Sequence, residues 1–320
     1  MKNIYKDIAM KKNIFYLVFA FMLFLVSYGC EEKRNRDAWI RYDDSDLYSY
    51  FGVDNVPAWS PDGQWISFYH KDNEPGKRGI YLISFDGKEI RKWHDTPNDL
   101  MSGEITTWSP DGQWIAFTER SQIWKKKIDG DSLMQLTFEG FNRHPSWSPD
   151  GKRIVYSKDT MSCYGIYTMN VDGQEKEVFR YEPQEYMEMP SWIDDSTIVY
   201  VRKSSLFLYT EIYSTERNGK NEKRLTFNNV VDTYPKSSNK RIAFSSRASD
   251  KIALTIWTMS VRGLNYKQLT HNPAFACDWS PDGKYIVYTD TRVDNRRIWI
   301  MDSSGNNKRQ LTFDYHFNDF

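Results

Sequence analysis

One turn sequence occurs again and again along this chain, and its recurrence limits the architecture more than any other feature. The stretch "AWSPDGQWISF" starts at Ala58, "TWSPDGQWIAF" at Thr107, "SWSPDGKRIVY" at Ser146 and "DWSPDGKYIVY" at Asp278. The isoleucine after each turn, with its counterparts in two diverged copies, falls at Ile66, Ile115, Ile154, Ile198, Ile242 and Ile286. The spacings are 49, 39, 44, 44 and 44 residues. A second series runs in phase, an isoleucine with a glycine seven residues on: Ile80–Gly87, Ile123–Gly130, Ile166–Gly173, Ile212–Gly219, Ile256–Gly263 and Ile298–Gly305. A third is Leu-Thr-Phe or a near variant, at Leu136, Leu225, Leu269 and Leu311.

Each unit therefore offers four short segments: A ("xPxW"), B ("WISF"), C ("IYxM") and D ("xxLTF"). All favour strand, and Gly, Asp, Asn or Pro turns bound them. No 12-residue window after the N-terminal segment sustains a helical apolar stripe. Aromatic content of 16%, with 12 Trp, 21 Tyr and 18 Phe, suits pleated, half-buried surfaces. Four strands per repeat of this length is the signature of a propeller blade. The expectation is an all-β, six-bladed β-propeller of four-stranded antiparallel blades over residues 54–317. Trp59, Trp108, Trp147, Trp192 and Trp279 are expected to fill the wedges between blades. With every D segment inside its own unit, the ring needs no borrowed strand to close, and 318–320 are a short C-terminal end.

Ser-Pro-Asp-Gly reads as a type I turn closed by a left-handed glycine. A catalytic group is needed once, whereas a turn is needed in every blade. Asp62, Asp111, Asp150 and Asp282 are therefore read as turn residues, on one rim and spread too far apart to cluster. The fourth unit ("PSWIDDSTIVY") and the fifth ("YPKSSNKRIAF") depart from the pattern, by drift or because that side binds something.

The N-terminus carries an export signal. Lys11 and Lys12 precede an apolar run from Ile14 to Val26, then Ser27, Tyr28, Gly29 and Cys30. That order is a charged region, a hydrophobic region and a small-residue cut site, and Met10 is the better start. Residues 1–29 read as a signal peptide and 30–53 as a tether. The cysteine after the cut resembles the bacterial lipoprotein signal, which implies diacylation of Cys30 and stable anchoring to a membrane. Gly29 fits that motif, while Ser27 replaces its usual aliphatic residue. The alternative is ordinary cleavage that leaves a free thiol. Cys163 and Cys277 lie in distant units and read as packing thiols.

The "WSPDG…IAF…IY…G…LT" grammar resembles the TolB-type propeller repeat, a WD-like repeat of bacterial periplasmic proteins. The resemblance implies a Gram-negative-type envelope protein, an outer-membrane lipoprotein facing periplasm or cell surface. TolB itself has an extra α/β domain ahead of its propeller, whereas only about two dozen residues separate Cys30 from the first blade here. Similar repeats front prolyl-oligopeptidase-like peptidases, whose Gly-x-Ser-x-Gly elbow is absent from these residues.

Function is expected at the loops opposite the Ser-Pro-Asp-Gly rim, which mix aromatic, amide and charged groups as binding surfaces do. Arg143, Tyr186 and Tyr234 are the candidate anchors, because Arg and Tyr dominate binding energetics. The expected partner is an envelope protein or a glycan, with no cofactor and no catalytic residue. A formal net charge of zero argues against nucleic acid. The rival reading comes from the related oligogalacturonate lyases, which use a histidine-held metal. It would place His94, His144 and His271 in loops of that rim as metal ligands in a polysaccharide-acting enzyme, although these lyases have seven blades and no paired histidine motif occurs here.

Overall fold

The computed structural model describes residues 53–317, except for 73, 75, 98–104, 161–163, 175, 182–184, 205–208, 248–252 and 293–295. The signal, Cys30, residues 30–52 of the expected tether and Cys163 lie outside the described residues, and Val53, expected at the tether's end, is already in the first strand. The fold is the expected one: six four-stranded antiparallel sheets, each built from consecutive strands. Blade 1 is β1 (Val53–Trp59), β2 (Trp65–Lys71), β3 (Gly79–Ser84) and β4 (Ile90–Asp95). Blade 2 is β5 (Thr106–Trp108), β6 (Trp114–Glu119), β7 (Gln122–Lys127) and β8 (Leu133–Gln135). Blade 3 is β9 (Phe141–Trp147), β10 (Arg153–Asp159), β11 (Tyr164–Asn170) and β12 (Glu177–Tyr181). Blade 4 is β13 (Glu185–Trp192), β14 (Thr197–Ser204), β15 (Glu211–Glu216) and β16 (Lys223–Arg224). Blade 5 is β17 (Asp232–Ser238), β18 (Arg241–Arg247), β19 (Leu254–Ser260) and β20 (Lys267–Gln268). Blade 6 is β21 (Ala274–Trp279), β22 (Tyr285–Asp290), β23 (Arg297–Asp302) and β24 (Arg309–Gln310). One 3₁₀ turn, Asp314–Phe317, follows.

The second strand of each blade is buried on both faces because a blade lies on either side. In β2, Ile66 and Phe68 face one neighbour and Ser67 and Tyr69 the other, and all four are buried. Six apolar clusters result, one per neighbouring pair of blades. Trp108 joins Ala58, Ile80 and Leu82 of blade 1 to Ile115 and Phe117 of blade 2. Trp279 joins Ala243, Ile256 and Leu269 of blade 5 to Ile286 and Met301 of blade 6. The ring closes where Trp59, Ile66 and Ile83 of blade 1 pack on Val287, Ile298, Ile300 and Leu311 of blade 6. Three indoles also donate across the gap: Trp108 Nε1 to Ser67 Oγ at 3.0 Å, Trp192 Nε1 to Ser146 O at 3.1 Å and Trp279 Nε1 to Lys236 O at 3.1 Å. Phe317 adds a clamp on the closing seam, stacking on His70 with ring centroids 3.7 Å apart.

The Ser-Pro-Asp-Gly turns are local structures. Asp62 Oδ1 accepts from Ser60 Oγ and, at 3.0 Å, from the Gln64 N–H, while Ser60 Oγ takes the Trp65 N–H at 2.9 Å. Asp111, Asp150 and Asp282 repeat this pattern. The turn aspartates do not cluster, but each turn touches the turn of the neighbouring blade. A Cβ built on Gly63 would lie 3.8 Å from Pro281, one on Gly112 3.5 Å from Pro61, and one on Gly151 3.9 Å from Pro110. The Asp150 N–H donates to Asp195 Oδ1 of the next blade at 2.8 Å. The inner strands converge toward the axis, so their turns touch end to end. In blade 5 the motif is replaced by a two-residue turn in which Asn239 and Lys240 both have positive φ, a type I′ geometry that closes the hairpin equally well.

The Leu-Thr-Phe element lies just past the outer strand, not in it. β8 ends at Gln135, and Leu136 and Thr137 follow. Thr137 Oγ1 then accepts the Ile123 N–H at 2.8 Å, replacing the next ladder carbonyl. Thr226, Thr270 and Thr312 do the same for Ile212, Ile256 and Ile298. The leucine is buried, whereas the third position points outward, with Phe138 and Phe227 each 69% exposed.

That leucine also explains a glycine of the next blade. Gly263, in the turn after β19, has φ +72°, and a Cβ there would lie 2.7 Å from the Leu225 carbonyl oxygen. Gly130 has φ +92° with nothing within 4 Å of such a Cβ. Gly130→Ala is therefore expected to cost about 1–2 kcal/mol, the left-handed penalty alone. Gly263→Ala should lose at least about 1 kcal/mol more, because backbone must move to admit the methyl. Urea unfolding of both variants checks this, and equal losses would contradict the close approach.

Candidate functional site

The innermost strands carry a repeated irregularity that builds the central channel. Each of β1, β9, β13, β17 and β21 shifts register against its neighbour, between Asn55 and Ala58 in β1 and between Thr233 and Lys236 in β17. The residue at the shift has positive φ in all five: Val56, His144, Met189, Tyr234 and Ala276. A left-handed valine is costly, and it persists because the neighbouring blade holds its N–H. Val56 N donates to Thr289 Oγ1 at 3.2 Å, and Ala276 N to Ser245 Oγ at 3.0 Å. Proline follows in four blades, at positions 57, 145, 190 and 235. A bulge leaves the ladder unpaired, so the missing N–H is tolerated there.

These bulges aim side chains at the axis. One cavity is walled by residues of all six blades, among them Val56, Ile105, His144, Met189, Tyr234 and Ala276. Lys236 and Cys277 line it as well. Most of this wall is apolar. His144 is buried, and burial lowers its pKa to about 3, assisted by the charges of Arg143 and Lys236. The Ser157 hydroxyl donates to the Arg143 carbonyl at 3.3 Å, so its oxygen accepts Nδ1–H of His144 at 2.9 Å. The imidazole is thus neutral with its lone pair on Nε2. Cys277 is a buried free thiol whose pKa burial pushes far upward.

The three candidate anchors are not in loops. Arg143 lies in β9, Tyr186 in β13 and Tyr234 in β17. The innermost strands start earlier than the xPxW element suggests, because the bulge lengthens them by a residue. The charge of Arg143 is felt at Tyr186 on the neighbouring blade, whereas Tyr234 lines the cavity wall. Burial raises the Tyr186 pKa well above the usual phenol range, the Glu188 charge adds to the rise, and Arg143 opposes it. Tyr186 therefore remains a neutral donor, and its hydroxyl bonds Glu188. Tyr164 packs on the same ring at 4.4 Å between centroids. Tyr234 packs on Phe275 at 5.8 Å, and Arg296 lies 5.4 Å over the other side of that group, at the Phe275 ring. Glu188, Tyr164 and Lys236 were not singled out from sequence. The repeated X-Pro before the tryptophan was the available signal for the bulge that presents them.

The histidines of the rival reading are dispersed. His94, in β4, pairs with Glu119 at 2.8 Å; His144 is bonded to Ser157; His271 is exposed. His144 sits in an inner strand, not in a loop. Among the described residues, no three His, Cys, Asp or Glu side chains converge to hold a metal ion.

The sequence profile of the TolB β-propeller domain matches residues 44–235. The chain belongs to the TolB β-propeller domain family. An uncharacterised protein of Agrobacterium fabrum is 24% identical over 252 residues, 73% of this chain and 83% of its own. TolB from Acinetobacter baumannii superposes with a TM-score of 0.64 at 19% identity, over 80% of this chain but only 62% of that one. An oligogalacturonate lyase in complex with manganese gives 0.56 at 13% identity, over 82% of this chain and 77% of its own. At such identities the structural likenesses extend to the fold alone.

One buried acid near the same end of the channel makes a pH-dependent prediction. Asp232, at the start of β17, is fully buried, and its Oδ2 has no partner. Burial raises its pKa from 3.8 to about 6, against hydrogen bonds that lower it, including one from Ser246 at 2.5 Å. A folded-state pKa above the unfolded one stabilises at low pH and loses that stabilisation as pH rises from about 4 to about 6. Above that window the buried charge costs on the order of 3 kcal/mol. Asp232→Asn is expected to raise unfolding free energy at pH 8 by up to about that amount, and by little at pH 3.5. Urea titrations across pH check this; the same difference at both pH values would contradict it.

Proposed function

We propose that this chain is an envelope-anchored TolB-type propeller that works as a binding or scaffold module. In this reading residues 1–29 are a signal peptide, Cys30 is acylated, residues 30–53 form the tether, and 54–317 are the propeller. The partner is an envelope protein or glycan that docks at the channel mouth opposite the Ser-Pro-Asp-Gly rim. The supporting observation is the mouth itself: Arg143, Tyr186, Tyr164 and Glu188 gather from blades 3 and 4 beside a channel walled by six blades. Arg and Tyr anchors next to an apolar well suit a binding hot spot. Among the described residues, no three side chains converge as the metal of the lyase reading would require.

The test is capture of solubilised envelope components by the purified propeller. The double variant Arg143→Ala/Tyr186→Ala should bind at least tenfold more weakly than wild type. Tyr285→Ala, on the opposite rim, should bind like wild type. Equal capture by all three would sink the assignment of the mouth. For the anchor, an alkyne fatty acid should label the wild-type chain and not Cys30→Ser; no label on wild type removes that part.

A further inference from the structure

Two cations face each other where a ladder of blade 1 ends. β2 and β3 pair as far as His70 and Gly79. One step further, Lys71 closes β2 and Arg78 directly precedes β3, so the register sets them opposite one another. Like charges directly opposite in an antiparallel pair destabilise it. A third cation arrives across the closing seam. Lys71 is paired on its other side with Val53 of β1. The next residue, Asp54, gives its N–H to the Arg296 carbonyl of blade 6 at 3.1 Å, and the Arg296 side chain turns back to Asn55 Oδ1 at 3.5 Å. Three cations thus ring the start of β1, on the rim opposite the Ser-Pro-Asp-Gly turns.

Two of the three are drawn out of water. Lys71 is 6% exposed and Arg296 9%, while Arg78 is partly exposed and opens the cluster to the rim. The carboxylates alongside are engaged with other groups. Asp54 holds His70 Nδ1 at 2.6 Å and lies 3.7 Å from Arg297. Asp72 faces His70 Nε2 at 3.5 Å and accepts the Glu74 N–H at 2.8 Å. Arg78 Nε donates to the neutral Asp72 carbonyl at 3.1 Å, and the Asn55 oxygen that Arg296 meets is neutral as well. Other cations of the same two loops are matched differently: Lys77 pairs with Glu74, and Arg292 with Asp290. Burial, then the charges of Arg78 and Arg296, lower the Lys71 pKa to about 8. Gathering like charges at a half-dry strand end is costly, and local rules are broken in this way mainly at functional positions.

We infer that Lys71, Arg78 and Arg296 form an oxyanion site for a phosphoryl group at the seam of blades 1 and 6. It lies apart from Arg143 and Tyr186 and does not rest on their role. Two guanidinium forks and an ammonium, supplied by two blades, match a dianion with several terminal oxygens better than a carboxylate with one charge. Free phosphate and a phosphomonoester carried on a glycan offer the same group.

The test measures calorimetric binding and melting temperature of the full chain at constant ionic strength, with inorganic phosphate, sulfate, a hexose phosphate or acetate. Phosphate and sulfate should bind and raise the melting temperature, and acetate should bind about tenfold or more weakly. Lys71→Met, which keeps the buried stem, and Arg78→Gln should each weaken phosphate binding about tenfold. Neither should melt below wild type in phosphate-free buffer, because a repulsion is removed. Sulfate keeps its charge as pH rises, so its binding reports on the protein. It should be strongest below about 8, where free Lys71 is protonated, and weaken above. Lys71→Arg should bind sulfate without that loss. A hexose phosphate that binds like inorganic phosphate supports a glycan-borne group, and its exclusion while phosphate binds supports the free ion. Equal binding of phosphate and acetate, no binding of phosphate or sulfate, or unchanged affinity in both Lys71→Met and Arg78→Gln would overturn the inference.

Discussion

The contact between neighbouring blades is what the rest of this molecule depends on. A single four-stranded sheet with Ile66, Phe68, Tyr81 and Leu82 fully buried has two apolar faces and no way to cover either alone. Each blade is stable only against the next, and the sixth only against the first. The tryptophan that ends the inner strand in every blade but the fifth supplies both area and direction. Its ring fills the gap, and where its Nε1 finds a carbonyl or hydroxyl in the preceding blade, it fixes the angle between them. Closure is then a property of the whole ring: Asp278 holds the Trp59 N–H, Thr289 holds the Val56 N–H, and Phe317 lies on His70 across the seam.

Most of the fold was legible because the contacts repeat. A turn needed six times leaves its letters many times over, so Ser60-Pro61-Asp62-Gly63 could be assigned to a hairpin without any structure. What repetition could not convey is how the repeats touch. That Pro61 packs on Gly112, or that Gly263 yields space to Leu225, involves residues tens of positions apart whose local sequence is already explained by turn chemistry. Leu-Thr-Phe was read as strand for the same reason. Its threonine looks like an ordinary β former, and only the long-range bond to Ile123 shows it ending the ladder.

The site was less legible, because it is made from the departures. Arg143 and Tyr186 were chosen for their chemistry, and they lie on inner strands of neighbouring blades, β9 and β13, that the pattern had placed in loops. The reason is the bulge, which adds a residue to the strand and points it at the axis. His144 entered as a possible metal ligand through the likeness to oligogalacturonate lyases. Its bond to Ser157, and a pKa lowered to about 3 by burial, make it part of the wall.

The regular parts of each repeat thus hold the ring, and the irregular parts line the channel and its mouth. The central claim is that partners engage this mouth. A photo-crosslinking residue placed at Tyr186, and separately at Tyr285 on the opposite rim, tests it directly in intact cells. The account predicts discrete crosslinked products from position 186 and none from 285. Products from 285 alone would contradict it.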